Sequence, residues 1–184
     1  MDDRTAISRI KQGDLAGLEI LVNRYQARAV HAAYLVVYDR ALAEDIARAA
    51  FVKVAERVRQ FDEGRPFAPW FLRIVVNDAL KAARRQKRNI SLDLQTDSAA
   101  AKLAAWLTDP APQPAQIVEE RELQRQILHA IESLTPEQRA VVVMRYFLEL
   151  SETEMSAKLH RPLSTIKWWL RDARKSLRKR MDIS

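Results

Sequence analysis

Apolar side chains in this chain recur every three or four residues, and nowhere do they alternate with polar ones long enough to make a strand. That periodicity restricts the fold to packed helices. Leu15, Leu18, Leu21, Val22 and Tyr25 form one stripe, introduced by Asp14 as an N-cap. Phe51, Val54 and Val58 form a second, in a helix expected from about Arg40 to Gln60. After a break from Asp62 to Pro66, where Gly64 and Pro66 interrupt the chain, Phe67, Trp70, Phe71, Ile74 and Val75 form a third. Further on, Leu123, Ile127, Ala130, Ile131 and Leu134 share one helix face. The expected class is all-α.

Helix starts are most legible in the last third of the chain. Thr135-Pro136-Glu137-Gln138 reads as a capping box with proline at the first helical position, followed by the apolar Ala140, Val143, Met144 and Phe147. Ser151-Glu152-Thr153-Glu154 is a second capping box, opening a short helix with Met155 and Leu159 inward. After His160-Arg161-Pro162-Leu163, Ser164 is placed to cap a last helix whose inward positions are Ile166, Leu170, Ala173 and Leu177. Short helix, tight turn and basic helix make a helix-turn-helix pattern. Lys167, Trp168, Arg171, Arg174 and Lys175 then face outward, where they can meet phosphates and base edges. A helical hairpin with a solvated basic face would show the same periodicity. The charge run favours the DNA-binding reading, because from Lys158 to Arg180 nine basic residues are opposed only by Asp172. Trp168 and Trp169 point about 100° apart on a helix, so Trp169 is expected at the core edge, Trp168 in solvent, and Trp70 in the core.

Between the helical parts, Pro110, Pro112 and Pro114 recur at every second residue, a spacing that forbids helix and favours extended chain. Ser91 to Ala101 is small and polar, and Ala99 to Leu107 is a candidate short helix around Trp106. These features divide the 184 residues into a helical domain at 1–90, a linker at 91–118 and a helix-turn-helix domain at 119–184. The net charge of +7 is divided too: 17 basic against 11 acidic residues, then 1 against 3, then 13 against 10. Two basic modules thus flank a slightly acidic connector, a distribution suited to nucleic acid.

Composition removes most other classes. The three glycines, Gly13, Gly17 and Gly64, allow no phosphate-binding glycine loop, and the absence of cysteine excludes disulfide scaffolds, thiolate zinc sites and iron–sulfur clusters. No run is apolar enough for a membrane span or a signal peptide, and a reducing cytoplasm is the expected compartment. His31, His129 and His160 are scattered without metal-ligand spacing, the adjacent acidic pairs point apart on a helix, and no nucleophile sits in a catalytic motif. No metal, cofactor or catalytic residue is expected.

Taken in order, the residues resemble the extracytoplasmic-function group of bacterial sigma-70 factors over nearly the whole chain. In the first module the resemblance rests on Gly13-Asp14, Leu21-x-x-Arg24-Tyr25, Ala43-Glu44-Asp45 with Phe51, then Phe61, Arg65-Pro66-Phe67, Trp70-Phe71-x-x-Ile74, Asn77 and the run Arg84-Arg85-Gln86-Lys87-Arg88. In the second it rests on Leu134-Thr135-Pro136-x-Gln138-Arg139, Leu150-Ser151-x-x-Glu154-Met155, and Thr165-Ile166-Lys167 followed by Leu170, Ala173-Arg174 and Leu177-Arg178.

The resemblance implies a dissociable subunit that gives core RNA polymerase its promoter specificity. The first module would dock on the β′ clamp through Glu44, Asp45, Arg48 and Phe51. It would melt the minus-ten element with Phe61, Asp62, Arg65, Phe67 and Asn77, while Arg84, Arg85, Lys87 and Arg88 track phosphates. The second would pack on the β flap and read the minus-thirty-five element with Lys167, Trp168, Arg171, Arg174 and Lys175, Ser164 and Thr165 meeting a phosphate at the helix N-terminus. Promoter DNA and an anti-sigma protein are the other implied partners, with no insertion into a membrane.

The chain departs from the family pattern in three places. Arg48 and Ala49 stand where glutamine and glutamate are usual, removing an acceptor and a charge from the docking helix. Ser164 replaces a common glycine and Trp168-Trp169 a serine-arginine pair, which predicts apolar contact with thymine methyl groups. Asp172 stands where arginine is frequent and would repel a nearby phosphate. A helix-turn-helix regulator that never enters the polymerase is the alternative reading.

Overall fold

The computed structural model describes residues 2–90 and 126–180. Its elements are α1 (Asp3–Lys11), α2 (Ala16–Val37), α3 (Arg40–Arg57) with a 3-10 turn at Val58–Gln60, and α4 (Phe67–Ile90). There follow α5 (126–132), α6 (Pro136–Val142) running into a π-helical turn at Val143–Phe147, α7 (Glu152–Leu159) and α8 (Leu163–Arg180). No strand occurs among the described residues. The expected proline-spaced linker, Trp106 and Leu123 lie outside them. Among them, no helix is long and apolar enough to cross a membrane.

The expected stripes form the core. Leu21, Tyr25, Phe51, Val54, Val58, Phe67, Phe71 and Val75 are buried together where α2, α3 and α4 meet. Two expectations at α2 are corrected. The helix starts at Ala16, and Asp14 sits before the cap position, its Oδ1 accepting the Ala16 N–H at 2.9 Å. Leu15 is therefore outside the helix, 68% exposed, and does not join the stripe. Gly13 closes the α1–α2 turn at φ +88°, a conformation that penalises any Cβ.

Both capping boxes form. The Thr135 hydroxyl accepts the Gln138 N–H at 3.3 Å while the Gln138 side chain accepts the Thr135 N–H at 2.8 Å. Ser151 and Glu154 exchange the same pair of bonds at 3.2 and 2.8 Å. The last helix begins at Leu163, two residues earlier than a Ser164 cap requires, so Ser164 lies within the first turn and the Thr165 N–H bonds to the Pro162 carbonyl at 2.9 Å.

The two helical modules also pack on each other, and most of their buried residues form one continuous apolar cluster, with Leu134, Val142 and Ala173 in a second. At the join, the Tyr38 hydroxyl donates to the Leu128 carbonyl and the Arg139 guanidinium lies 5.0 Å from the centre of the Tyr38 ring. Alongside, His31 stacks on Phe147 at 5.5 Å with the rings 10° apart.

Candidate functional site

Three surfaces carry the residues singled out by the sequence. The first is an open groove of about 740 Å³ between α2 and α3, whose wall includes Val22, Val30, Glu44, Arg48, Phe51 and Val52. Phe51 is only 5% exposed and packs 4.5 Å from Phe71, so it forms the groove floor instead of reaching outward. Val52 beside it is 57% exposed. Sequence reasoning passed over Val52, whose only signal is an apolar residue out of register with the stripe. The rim is charged: Arg40 bonds Glu44 at 3.0 Å, and Arg48 pairs with Asp45 one turn earlier. An apolar floor with charged edges suits the docking of another protein's helix.

The second surface surrounds the turn from Phe61 to Phe67. Phe61 and Phe67 are buried and edge-on to each other at 5.8 Å, with Trp70 at 4.9 Å from Phe61. These aromatics hold the turn rigid from beneath, while Asp62 and Arg65 stay exposed. Asp62 shapes the turn by accepting the Gly64 N–H at 3.0 Å. Helix α1 clamps it from the side: the Lys11 ammonium bonds the Phe61 carbonyl at 3.3 Å and the Glu63 carboxylate at 2.5 Å. That clamp had no signal in the sequence, because its partners are fifty residues apart. A concavity of about 480 Å³ opens here, bounded by Asp3, Arg4, Ile7, Arg24, Arg65 and Phe67. Asp3 is fixed by Arg24 and by the Tyr25 hydroxyl at 2.5 Å, and burial with that carboxylate pushes the Tyr25 pKa up to about 12.

Along α4 the expected contacts divide. Asn77 is half-buried, with its amide oxygen turned inward and without a partner among the described residues. Arg85 is exposed, but Arg84 reaches across to the second module and bonds Glu137 at 2.9 Å. Lys87 and Arg88 continue the helix, and their side chains lie outside the described residues.

The third surface is the outer face of α8. Ile166, Leu170 and Ala173 are buried, which turns Lys167, Trp168, Arg171, Arg174 and Lys175 to solvent, Trp168 being 51% exposed. Trp169 packs at the core edge. Ser164 is exposed and Thr165 half-buried at the start of the helix. His160 ends α7 in the left-handed region at φ 51°, and the Ser156 hydroxyl donates to the Arg161 carbonyl at 2.6 Å, which fixes the tight turn into α8. Asp172 points away from this face and accepts from the Gln138 amide at 2.6 Å. It therefore fastens α8 to α6.

The sigma-70 region 2 family model matches residues 21–89, and the sigma-70 region 4 family model matches residues 124–177. The chain is 28% identical over 176 residues to an ECF RNA polymerase sigma factor, SigW, of Bacillus subtilis, covering 95% of this chain and 94% of that one. It is 25% identical over 178 residues to the ECF RNA polymerase sigma-E factor of Escherichia coli, covering 96% and 93%. Its fold is similar to the sigma factor RpoE solved in complex with the anti-sigma factor NepR from Bartonella quintana, with a TM-score of 0.64 at 15% identity over 90% of this chain and 97% of that one.

Proposed function

Because the chain belongs to the sigma-70 family, in its extracytoplasmic-function group, we propose that its three surfaces divide the work of promoter recognition between two modules. The chain is a polymerase-associated sigma factor. Residues 1–90 dock on the β′ clamp through the α2–α3 groove, with Glu44, Asp45 and Arg48 at its rim and Phe51 beneath. The turn from Phe61 to Phe67, with Asn77, Arg84, Arg85, Lys87 and Arg88 on α4, takes the minus-ten element as single-stranded DNA, its exposed Asp62 and Arg65 held in place by the buried aromatics and its backbone contacts supplied by the basic track.

Residues 119–184 pack on the β flap and present the outer face of α8, with Ser164 and Thr165 at its start, to the major groove of the minus-thirty-five element. Residues 91–118 connect the two modules through the polymerase cleft. The chain contributes no catalysis and holds no cofactor, and it works in the cytoplasm where polymerase and promoter are found. An anti-sigma protein is its regulatory partner, supported by the complex in which the similar sigma factor was captured.

The observation that carries this reading is the order of the two regions along one chain, together with the outward basic face of α8. Run-off transcription with purified core polymerase from the native host, on a fragment library of the host genome, tests it. Discrete new start sites sharing two upstream elements are expected. Tight sequence-specific binding by the chain alone, with no new starts, would replace it with a stand-alone regulator.

A further inference from the structure

Where the modules meet, a cleft of about 390 Å³ remains that shares the Phe61–Phe67 turn with the second surface but adds Arg73 and, from the second module, Leu150, Glu154 and Lys158. Its first wall comes from the Phe61–Phe67 turn and the start of α4, carrying Arg65, Trp70 and Arg73, and its second from Leu150 and from Lys158 on α7. Arg73 and Lys158 are half-buried. Among the described residues neither closes a hydrogen bond or an ion pair, and the nearest attraction for Lys158 is the Glu154 charge one turn earlier.

Two carboxylates, Asp62 and Glu154, stand in the wall beside the three cations and keep their charge. Asp62 lies 3.3 Å from Arg65 and accepts the Gly64 N–H, and Glu154 accepts from the Ser151 N–H and hydroxyl at 2.8 and 2.7 Å. Burial lowers the pKa of the Lys158 ammonium, and the positive charge of Arg73 lowers it further, against a smaller opposing pull from Glu154. The Arg73 pKa is lowered by burial and by Arg65. Packing the modules together thus brings Lys158 against Arg73 and Arg65 in a partly desolvated cleft whose cations outnumber its carboxylates by three to two. A multivalent anion would relieve that repulsion with charge-assisted bonds.

We propose that this cleft is a binding site for a small polyphosphate-bearing anion, gripped by Arg65 and Arg73 of the first module and Lys158 of the second, with Trp70 as its apolar wall. Such a ligand binds only when the modules are together and so favours the packed form by mass action. In that form Arg84 stays paired with Glu137. Binding itself does not depend on the polymerase reading; its consequence, a brake on promoter engagement, rests on that reading.

Isothermal titration of the full chain with inorganic tripolyphosphate at constant ionic strength tests the site. One saturable site is expected. Arg73→Ala and Lys158→Ala should each weaken it about tenfold, the loss of one charge-assisted contact. Lys158→Arg should retain it, and Lys81→Ala, on the exposed face of α4, should leave it unchanged. Melting curves for each variant separate lost binding from lost folding. Equal weakening by all three alanine variants would mean diffuse attraction to a basic surface. An inert Lys158→Ala would confine binding to the first module, and displacement by a tighter single-stranded oligonucleotide through the same residues would make the cleft part of the DNA surface. Each of these three results overturns the proposal.

Discussion

Gly17 shows how much can depend on one hydrogen atom. It lies where α2 crosses α1, and a Cβ there would sit 2.3 Å from the Ala6 carbonyl oxygen and 3.0 Å from Arg9 Cβ and Ile10 Cγ1. Backbone cannot move aside as a flexible side chain can, so Gly17→Ala is expected to cost about 1–3 kcal/mol, the range for overpacking, in urea denaturation. An unchanged midpoint would show that α1 shifts freely, and with it the Lys11 clamp on the Phe61 turn. At Trp168 the expectation is opposite. Half of the side chain is in solvent, so Trp168→Ala should change stability by less than about 0.5 kcal/mol while weakening binding to promoters that carry a minus-thirty-five element. Fragments bearing only the minus-ten element should bind equally well. Loss on both templates would place Trp168 elsewhere than in the groove contact.

Among the elements, those with local chemical signals were readable from the chain. Both capping boxes form at the residues the sequence marks, and Thr135→Ala or Ser151→Ala should each cost about 1 kcal/mol in thermal unfolding. The α3 and α4 stripes form the core as their periodicity requires. The start of α2 was misplaced because Asp14 bonds only two residues ahead, an Asx-type turn that a sequence does not distinguish from a cap. Ser164 was misplaced because Pro162 supplies the carbonyl that opens α8. At the candidate sites, the outer face of α8 was legible because one buried stripe fixes where every other residue points. The Phe61–Phe67 turn was legible only in part. Phe61 and Phe67 form its floor, packed on each other and on Trp70 and Phe71, a burial that only the fold brings about. The bond of Asp172 was illegible for a related reason: its partner Gln138 is thirty-four residues away, and no local pattern links them.

Across the whole molecule, the join between the modules ties folding to function. His31 is half-buried against Phe147, and that desolvation holds its pKa below the ordinary 6.5. The unfolded chain therefore binds more protons than the folded one as pH falls below 6.5, and stability contributed by the neutral ring is lost through that window toward the lower folded pKa. Urea midpoints should fall between pH 7.5 and pH 5.5, and His31→Gln should reduce that fall; an identical fall in the variant would locate the sensitivity elsewhere. Arg84 makes the same join a matter of promoter engagement, since the side chain proposed to track a phosphate is bonded to Glu137 across it. The Arg84–Glu137 bond has to break before that side chain can pair with a phosphate. Permanganate footprinting of a promoter mapped by run-off transcription tests this most directly, with core alone, this chain alone, and both together. Reactive thymines just upstream of the start site should appear only when both proteins are present. Protection of duplex DNA by the chain alone, with no reactive thymines after core is added, would contradict the account.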